Sequence, residues 1–136
     1  MKPARFCLTG VVGAALVLSG CSGHHSGGSK EASGVVAGQY TLAGGPAPGL
    51  ARPQTGTIWA YSGDLDLARV QGAAAVAHVR TDASGKFSLS LKPGEYTLLG
   101  ALGVASSEHS NGCGVPTVVH IKAAIHVKAD LVCSVP

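Results

Sequence analysis

The stretch TDASGKFSLSLKPGEYTL, residues 81–98, carries two turn signals and is the part of the chain that decides the fold. In its first half, Asp82 can bind back to its own backbone, and Gly85 can adopt the positive φ that closes a tight hairpin. In its second half, Pro93 presets φ for the second position of a turn, and Gly94 suits the positive φ of the third. The stretch therefore predicts two successive turns, the second of type II, that join three strands.

Apolar residues alternate with polar ones between and after these turns. Phe87, Leu89 and Leu91 share one face of a strand by the two-residue period, and lysine and serine occupy the other face. Tyr96 and Leu98 return to the core side in the next strand. This alternation indicates half-buried strands, and nothing in the stretch is suited to catalysis.

Short alternating runs separated by turn residues continue through the rest of the chain from residue 34, with no sustained apolar stripe at helical spacing. Together with the strands of the opening stretch they predict an all-β protein, a seven-stranded antiparallel β-sandwich. The additional strands are expected at VVAGQYTL (35–42), TIWAYS (57–62), AAVAHVRT (74–81), TVVHIKA (117–123) and AIHVKADLVC (124–133).

The first 20 residues have the pattern of an export signal. Lys2 and Arg5 form a short basic region, and an apolar run of 13 residues, FCLTGVVGAALVL, follows it. Because a spanning helix needs about 20 apolar residues, this run is too short for a permanent membrane span. We therefore expect a signal peptide at residues 1–20, a Ser- and Gly-rich flexible tether at 21–33 and one folded domain at 34–136.

The tetrapeptide Leu18, Ser19, Gly20, Cys21 at the end of this signal resembles the lipobox of bacterial lipoproteins. The resemblance implies that Cys21 is lipidated and becomes the first residue of the mature protein. At about 0.8 kcal/mol per buried CH₂, two or three acyl chains would hold the protein on the outer face of the cytoplasmic membrane. The alternative is a plain secretory signal followed by a chance cysteine.

The charge balance changes once the signal is set aside. The whole chain has ten Lys and Arg against seven Asp and Glu, a formal net charge of +3. Removal of Lys2 and Arg5 leaves eight basic residues against seven acidic ones, a net charge of +1. No basic face remains, so nucleic-acid binding is not expected.

The four cysteines predict one disulfide bond. Cys7 leaves with the signal and Cys21 takes the lipid, so Cys113 and Cys133 are the thiols that remain in an oxidising compartment. Their pairing closes a loop worth roughly 3 kcal/mol in the chain-entropy model. Two free thiols or a two-ligand metal site are the alternatives, and the absence of C-x-x-C excludes a thioredoxin-type motif.

Three parts of the chain together resemble the carboxypeptidase regulatory-like domains. These are GVVAG at 34–38, the stretch at 81–98 and the terminal V-x-I and V-x-A-x-L-x-C pattern. The resemblance implies a transthyretin-like sandwich over residues 34–136. It implies no function, since such modules occur beside enzymes, in adhesive surface proteins and alone.

The motifs of the related enzymes are missing from this chain. None of the six histidines has Glu three residues later, as the zinc carboxypeptidases require, and the chain ends in LVCSVP rather than in a Tyr-Arg-Gly-Ser type tail. There is no G-x-S-x-G elbow and no phosphate-binding glycine loop. We expect no enzymatic activity and no cofactor.

The histidines raise the question of a metal site. If Lys122 to Ala124 form a three-residue hairpin loop, His120 faces His126 on the outer side, with Cβ atoms ~5 Å apart, close enough to share Zn²⁺ or Cu²⁺. His109 is a third candidate ligand. A solvated polar face is the alternative, and the same choice applies to the tethered pair at 24–25.

Two further groups are candidates for binding. Trp59 and Tyr61 alternate with the core residues of TIWAYS, so they are expected to look outward and to offer an aromatic surface to sugars or peptides. The alternative is that another segment covers them. Asp64 and Asp66 lie on one side of an extended segment, compatible with a weak Ca²⁺ site or a solvated loop.

These observations predict a non-enzymatic, lipid-anchored envelope protein that serves as a binding or structural module. Its expected partners are the membrane, through the N-terminal lipid, and an envelope glycan or protein. A metal-handling lipoprotein that uses the outward histidines is the second hypothesis, and an undescribed hydrolase is the third.

Overall fold

A computed structural model describes residues 31–45, 51–103 and 112–135. They form nine strands and one short helix, and the predicted all-β sandwich is confirmed. Seven strands was an approximate count, because short strands at 52–53 and 126–128 add to it. The elements are β1 Gly34–Gly44, β2 Arg52–Pro53, β3 Gly56–Ser62, α1 Leu67–Gly72, β4 Ala77–Arg80, β5 Lys86–Leu91, β6 Gly94–Leu102, β7 Gly112–Ile121, β8 His126–Lys128 and β9 Leu131–Val135.

The strands form a five-stranded and a four-stranded sheet. In the first, β1 is central and pairs with β2 and β5 on one side and with β8 and β9 on the other. In the second, the order is β4-β3-β6-β7 and every pairing is antiparallel. The pairings of β1 with β8 and β9 are parallel, which differs from the purely antiparallel sandwich expected. The chain crosses from β7 in one sheet to β8 in the other, and this crossing sets the parallel direction.

The core lies between the two sheets and follows the two-residue period of the strands. In β5, Phe87, Leu89 and Leu91 are buried and the residues between them are exposed, as predicted. Leu98 of β6 is also buried, on the opposite side of the core. At roughly 1.5 to 3 kcal/mol for each large apolar side chain removed from water, these alternating positions hold the sheets together.

Tyr40 of β1 crosses this core and reaches the other sheet. A Cβ on Gly100 would lie 2.5 Å from the ring atom Cε2 of Tyr40, so β6 can accommodate the ring only because that position is glycine. The side chain is fully buried, and burial raises the pKa of the Tyr40 phenol to about 12. The hydroxyl has no hydrogen-bond partner among the described residues.

The first turn of the opening stretch has the predicted residues in the predicted roles. The Asp82 carboxylate accepts hydrogen bonds from the Ser84 hydroxyl at 2.7 Å and from the Lys86 N–H at 2.9 Å. These bonds hold the pKa of Asp82 below its usual value. Gly85 has the positive φ, 74°. The turn does not close a paired hairpin, however, because β4 and β5 belong to different sheets.

The second turn is also a crossing between sheets, and its prediction as type II is wrong. Gly94 has φ of 156°, whereas the third residue of a type II turn has about 80°. The Tyr96 hydroxyl donates to the Lys92 carbonyl oxygen at 2.9 Å. This bond spans the corner in the way a tyrosine corner does in other sandwiches, and it takes the place of a regular turn hydrogen bond.

The short helix α1 was not predicted, because six residues are too few for a helical stripe to be visible. Its N-cap is Asp66, whose Oδ1 accepts from the Arg69 N–H at 2.8 Å. Only Val70 of the helix is buried. Asp64 and Asp66 are exposed in the loop before α1, in agreement with the solvated-loop alternative, and Asp66 in addition caps the helix. No helix in the described part of the chain is long and apolar enough to cross a membrane.

Candidate functional site

The outer face of the five-stranded sheet carries a groove of about 390 Å³, which we call the Lys86–Lys128 groove. It lies across β1, with β5 on one side and the end of β8 on the other. The residues that line it are Ala37, Gly38, Gln39, Lys86, Phe87, Lys128 and Asp130.

The register of the three strands explains the groove. Ala37 of β1 lies between Ser88 of β5 and Lys128 of β8, and Lys86 lies opposite Gln39, the next outward residue of β1. The small side chain of Ala37 thus has Lys128 beside it on one neighbouring strand and Lys86 diagonally across from it on the other. At about 4.8 Å between strands, the two flanking strands are roughly 10 Å apart, and the concave surface between them is open to solvent.

The far end of the groove is built by an irregular connection between β8 and β9. The Ala129 N–H donates to the Ala37 carbonyl oxygen at 3.0 Å. At the next position a side chain replaces the backbone as the partner of β1: Asp130 Oδ1 accepts a hydrogen bond from the Gln39 N–H at 2.9 Å. Gly38 is required there because a Cβ would lie 1.8 Å from the Ala129 carbonyl oxygen. The backbone therefore fixes Asp130 at the groove rim.

The charges of the groove are two amino groups and one carboxylate. The Lys128 Nζ lies 3.4 Å from Asp130 Oδ2, an exposed ion pair of the kind that contributes little to stability. Lys86 forms no salt bridge with any described residue. The groove consequently offers the Lys86 ammonium group, which interacts with Asp82 without forming a salt bridge, the loosely held Lys128 ammonium group and fixed polar atoms at one end.

Trp59 and Tyr61 lie on the outward face of β3, as predicted, but the candidate binding role of Tyr61 is wrong, since the alternative that another segment covers this face holds there. Tyr61 is fully buried. It packs with Val70 of α1 and Leu99 of β6, so the segment after β3 folds back over it. Tyr61 cannot contact a ligand from solvent in this arrangement.

Trp59 is partly buried beside the same cluster, and its exposed neighbour is His78 of β4. The two residues lie opposite each other in the sheet, with ring centroids 4.6 Å apart and planes inclined by 36°. The indole N–H of Trp59 is buried and has no hydrogen-bond partner in the described residues. A binding role for Trp59 stays a prediction, and the ring that lies beside it at the surface is His78 rather than Tyr61.

The prediction that a hairpin brings His120 and His126 together is wrong. His120 of β7 lies opposite Glu95 of β6, and His126 of β8 lies opposite Val35 of β1 in the other sheet. His120 Nδ1 is 3.3 Å from the Glu95 carboxylate. The second hypothesis, metal handling, loses the geometry on which it rested.

No group of three or more His, Cys, Asp or Glu side chains among the described residues is placed to hold a metal ion. Of the other proposed ligands, His109 and the pair at 24–25 lie outside the described residues, as does the lipidation site Cys21.

The disulfide between Cys113 and Cys133 is confirmed. It joins β7 of the four-stranded sheet to β9 of the five-stranded sheet, with Cα atoms 5.0 Å apart. Cys133 is completely buried. The bond therefore closes one open side of the sandwich and is structural.

Sequence reasoning missed the Lys86–Lys128 groove. Alternation correctly places Lys86 on the outer face, but Lys128 meets Ala37 only because β8 pairs in parallel with β1. Strand β8 has three residues and no turn signal of its own, so the sequence does not indicate which strand it pairs with.

Comparisons with known proteins show no family. No family model matches the chain, and no curated protein matches it. Some solved structures are similar in shape at low identity. One is a candidate carbohydrate-binding protein from Pseudomonas aeruginosa, with a TM-score of 0.49 and 14% identity over 74% of this chain and 88% of that one.

Two other similar structures belong to longer bacterial proteins. The minor pilin GBS52 of Streptococcus agalactiae has a TM-score of 0.48 and 18% identity, over 77% of this chain and 46% of that one. The TIE protein of Bacillus anthracis has a TM-score of 0.46 and 16% identity, over 76% of this chain and 17% of that one. At such values the similarity carries no argument about function, and the sandwich rests on the described strands themselves.

Proposed function

We propose that this chain is a lipid-anchored protein of the bacterial envelope whose sandwich binds an acidic glycan and catalyses no reaction. The observation that carries the proposal is the Lys86–Lys128 groove, in which Lys128 beside Ala37 and Lys86 diagonally across from it place two ammonium groups on an open sheet face.

Export and anchoring are supported by the residues at the N-terminus and by the disulfide. The sequence begins with a basic region, a short apolar run and a lipobox-like tetrapeptide that ends at Cys21. The Cys113–Cys133 bond suits an oxidising compartment outside the cytoplasm. Both features agree with a domain held at the outer face of the cytoplasmic membrane.

The choice of an acidic glycan follows from the groups that line the groove. Ammonium groups donate charge-assisted hydrogen bonds to carboxylate or phosphate, and Gln39 and Asp130 add polar atoms for hydroxyl groups. An open face, rather than a closed pocket, accommodates a polymer that continues in both directions. Glycoside hydrolysis uses a pair of carboxylates, and the groove lining contains one, Asp130.

Replacement of Cys21 by serine is expected to move the protein from the membrane fraction to the soluble extracytoplasmic fraction. Serine cannot form the thioether, so the acyl chains that supply the binding energy are lost. Fractionation of cells with detection by immunoblot measures the change. A Cys7→Ser variant is the matched control and should stay with the membrane, because that residue lies within the signal. Membrane retention of the Cys21 variant would contradict anchoring.

The double change Lys86→Gln and Lys128→Gln is expected to weaken binding of an acidic oligosaccharide such as trigalacturonate at least tenfold. Each charged hydrogen bond is worth about 1.5 to 3 kcal/mol, and 1.4 kcal/mol corresponds to a factor of ten. Isothermal titration calorimetry of the full chain measures the affinity. Binding should also weaken as salt is added, because the groove is open to solvent.

The matched control for the groove is Lys122→Gln, which removes an exposed positive charge from the loop between β7 and β8. This variant should bind as the unaltered chain does. Trp59→Ala separates the two candidate surfaces. If Trp59→Ala abolishes binding and the double lysine variant does not, the glycan sits on the Trp59 and His78 surface and the groove proposal is wrong.

A further inference from the structure

One edge of the five-stranded sheet is open for hydrogen bonding. Strand β5 pairs with β1 alone in the described part of the chain. The Tyr40 N–H donates to the Gly85 carbonyl oxygen at 2.7 Å, which sets the phase of this antiparallel ladder. Gly85, Phe87, Leu89 and Leu91 therefore direct their backbone groups toward β1, whereas the residues between them direct theirs away from the sheet.

The backbone hydrogen bonds of Lys86 confirm that these alternate residues point away from β1. Its N–H donates to the Asp82 carboxylate and its carbonyl oxygen accepts from the Asp82 N–H, both at 2.9 Å, on the side away from β1. Ser88 and Ser90 are the next residues in the same phase. Their N–H and C=O groups have no hydrogen-bond partner among the described residues, and both side chains are exposed. Two residues of β5 thus present a free strand edge.

Three other edge strands, β7, β9 and β4, have features that hinder strand addition. Strand β7 contains Pro116, which cannot donate a hydrogen bond, and is tied by Cys113 to the edge strand β9 of the opposite sheet. Strand β4 has four residues. Strand β5 has no proline and no shift of register in its pairing with β1, and its one charged residue, Lys86, lies at the end of the strand, so Ser88 and Ser90 remain accessible to an added strand.

A cavity of about 380 Å³ lies beside this edge, where β4 and β5 separate beyond the turn that joins them. Its walls are mainly apolar, and Val76 at its mouth is 55% exposed. An unfilled apolar cavity at a free edge can take one side chain of an added strand. The lining residues are Ser62, Val76, Ala77, Ser90, Leu91, Lys92 and Tyr96.

We propose that the β5 edge binds an extended peptide of a partner protein by strand addition. The peptide hydrogen-bonds with the outward backbone groups of Ser88 and Ser90, and one apolar side chain enters the adjacent cavity. Lys86 and Lys92 stand at the two ends of the edge, both exposed. The Lys86 end also carries the Asp82 carboxylate, so an acidic residue of the peptide would complement the site at the Lys92 end. The peptide uses the backbone edge of β5 rather than the sheet face, although Lys86 borders both sites, and the proposal does not rest on glycan binding.

In one register, a second copy of the chain fits the same edge poorly. An antiparallel pairing of two β5 strands that opposes Ser88 to Ser90 is centred on Leu89. That register brings Lys86 of each copy opposite Lys92 of the other, and like charges directly opposite are destabilising. In that register, the charge pattern favours an acidic peptide over self-association.

The test uses the full chain as bait for a displayed library of random dodecapeptides. Enriched peptides are expected to alternate apolar and polar residues, to carry Asp or Glu at the end that lies beside Lys92 and to contain no central proline. Synthetic copies should bind Ser88→Pro and Ser90→Pro variants at least thirtyfold more weakly than the unaltered chain. Because these N–H groups point away from β1, proline removes no hydrogen bond of the sheet. Ser88→Thr and Ser90→Thr keep the N–H groups and should bind normally.

Hydrogen exchange gives a readout that does not depend on the proline variants. The Ser88 and Ser90 amides should exchange rapidly in the free chain and at least tenfold more slowly with an enriched peptide bound. Failure to enrich any peptide, or equal affinity for the proline and threonine variants, would overturn the proposal. Protection that rises with protein concentration in the absence of peptide would assign the edge to a second copy and would also overturn it.

Discussion

Replacement of both Cys113 and Cys133 by alanine is expected to lower the free energy of unfolding by about 3 kcal/mol. The bond closes a loop with a sequence separation of 20, so its loss returns loop-closure entropy to the unfolded chain. It also leaves β7 and β9 without their covalent link on that side of the sandwich. For a domain of about 100 residues this corresponds to a fall in Tm of roughly 12 to 24 °C, measured by calorimetry.

Reduction of the unaltered protein is the control for this double variant. A reducing agent should produce a similar loss of stability, and it should have no effect on the alanine variant. Alanine is preferable to serine because Cys133 is completely buried, and a serine hydroxyl there would add its own desolvation cost. A double variant that unfolds within 3 °C of the unaltered protein would show that packing alone closes this side of the sandwich.

The second large effect is expected from Gly38→Ala, which should destabilise the domain by about 3 kcal/mol. The new Cβ would lie 1.8 Å from the Ala129 carbonyl oxygen and 2.6 Å from its carbonyl carbon, both backbone atoms. The connection between β8 and β9 must therefore move. That movement breaks the bond from Ala129 N–H to Ala37 and the bond from Gln39 N–H to Asp130, at about 1 kcal/mol each, and adds steric strain. Chemical unfolding in guanidinium chloride measures the loss.

Gly72→Ala is the matched control for this substitution. Gly72 ends α1, and a Cβ there meets no atom within 4 Å. The variant should be unchanged or stabilised by up to about 1 kcal/mol, because alanine restricts the unfolded chain and favours the helix. Equal stability of the two variants would mean that the β8 to β9 connection is not packed against Gly38 as the structure has it. Because Asp130 would move too, Gly38→Ala should also lower the affinity for any ligand that binds in the Lys86–Lys128 groove.

The residues of the opening stretch show how much a local pattern predicts. Phe87, Leu89 and Leu91 were placed correctly because the period of a strand depends on the backbone alone. Asp82 and Gly85 were also assigned correctly, since their turn uses contacts within five residues. The pairing of the strands around that turn was not predicted correctly, because β4 and β5, which are neighbours in the chain, lie in different sheets.

The candidate sites show the same limit. Alternation placed Tyr61 on the outer face of β3, but whether that face is wet depends on α1, which folds over it. Alternation also placed His120 and His126 on outward faces, but the crossing from β7 to β8 puts them on different sheets. A period of two assigns a residue to a side of its strand and carries no information about what covers that side.

By itself, the sequence determined the all-β class, the inward and outward sides of the strands and the pairing of Cys113 with Cys133, the two cysteines outside the N-terminal segment. Each of these follows from backbone geometry or from a count of residues. Only the tertiary structure decided that β8 and β9 run parallel to β1, that Lys128 therefore meets Ala37, and that the β5 edge is left open. The physical reason is that partner strands are selected by long-range burial of the whole core, to which residues distant in sequence contribute together.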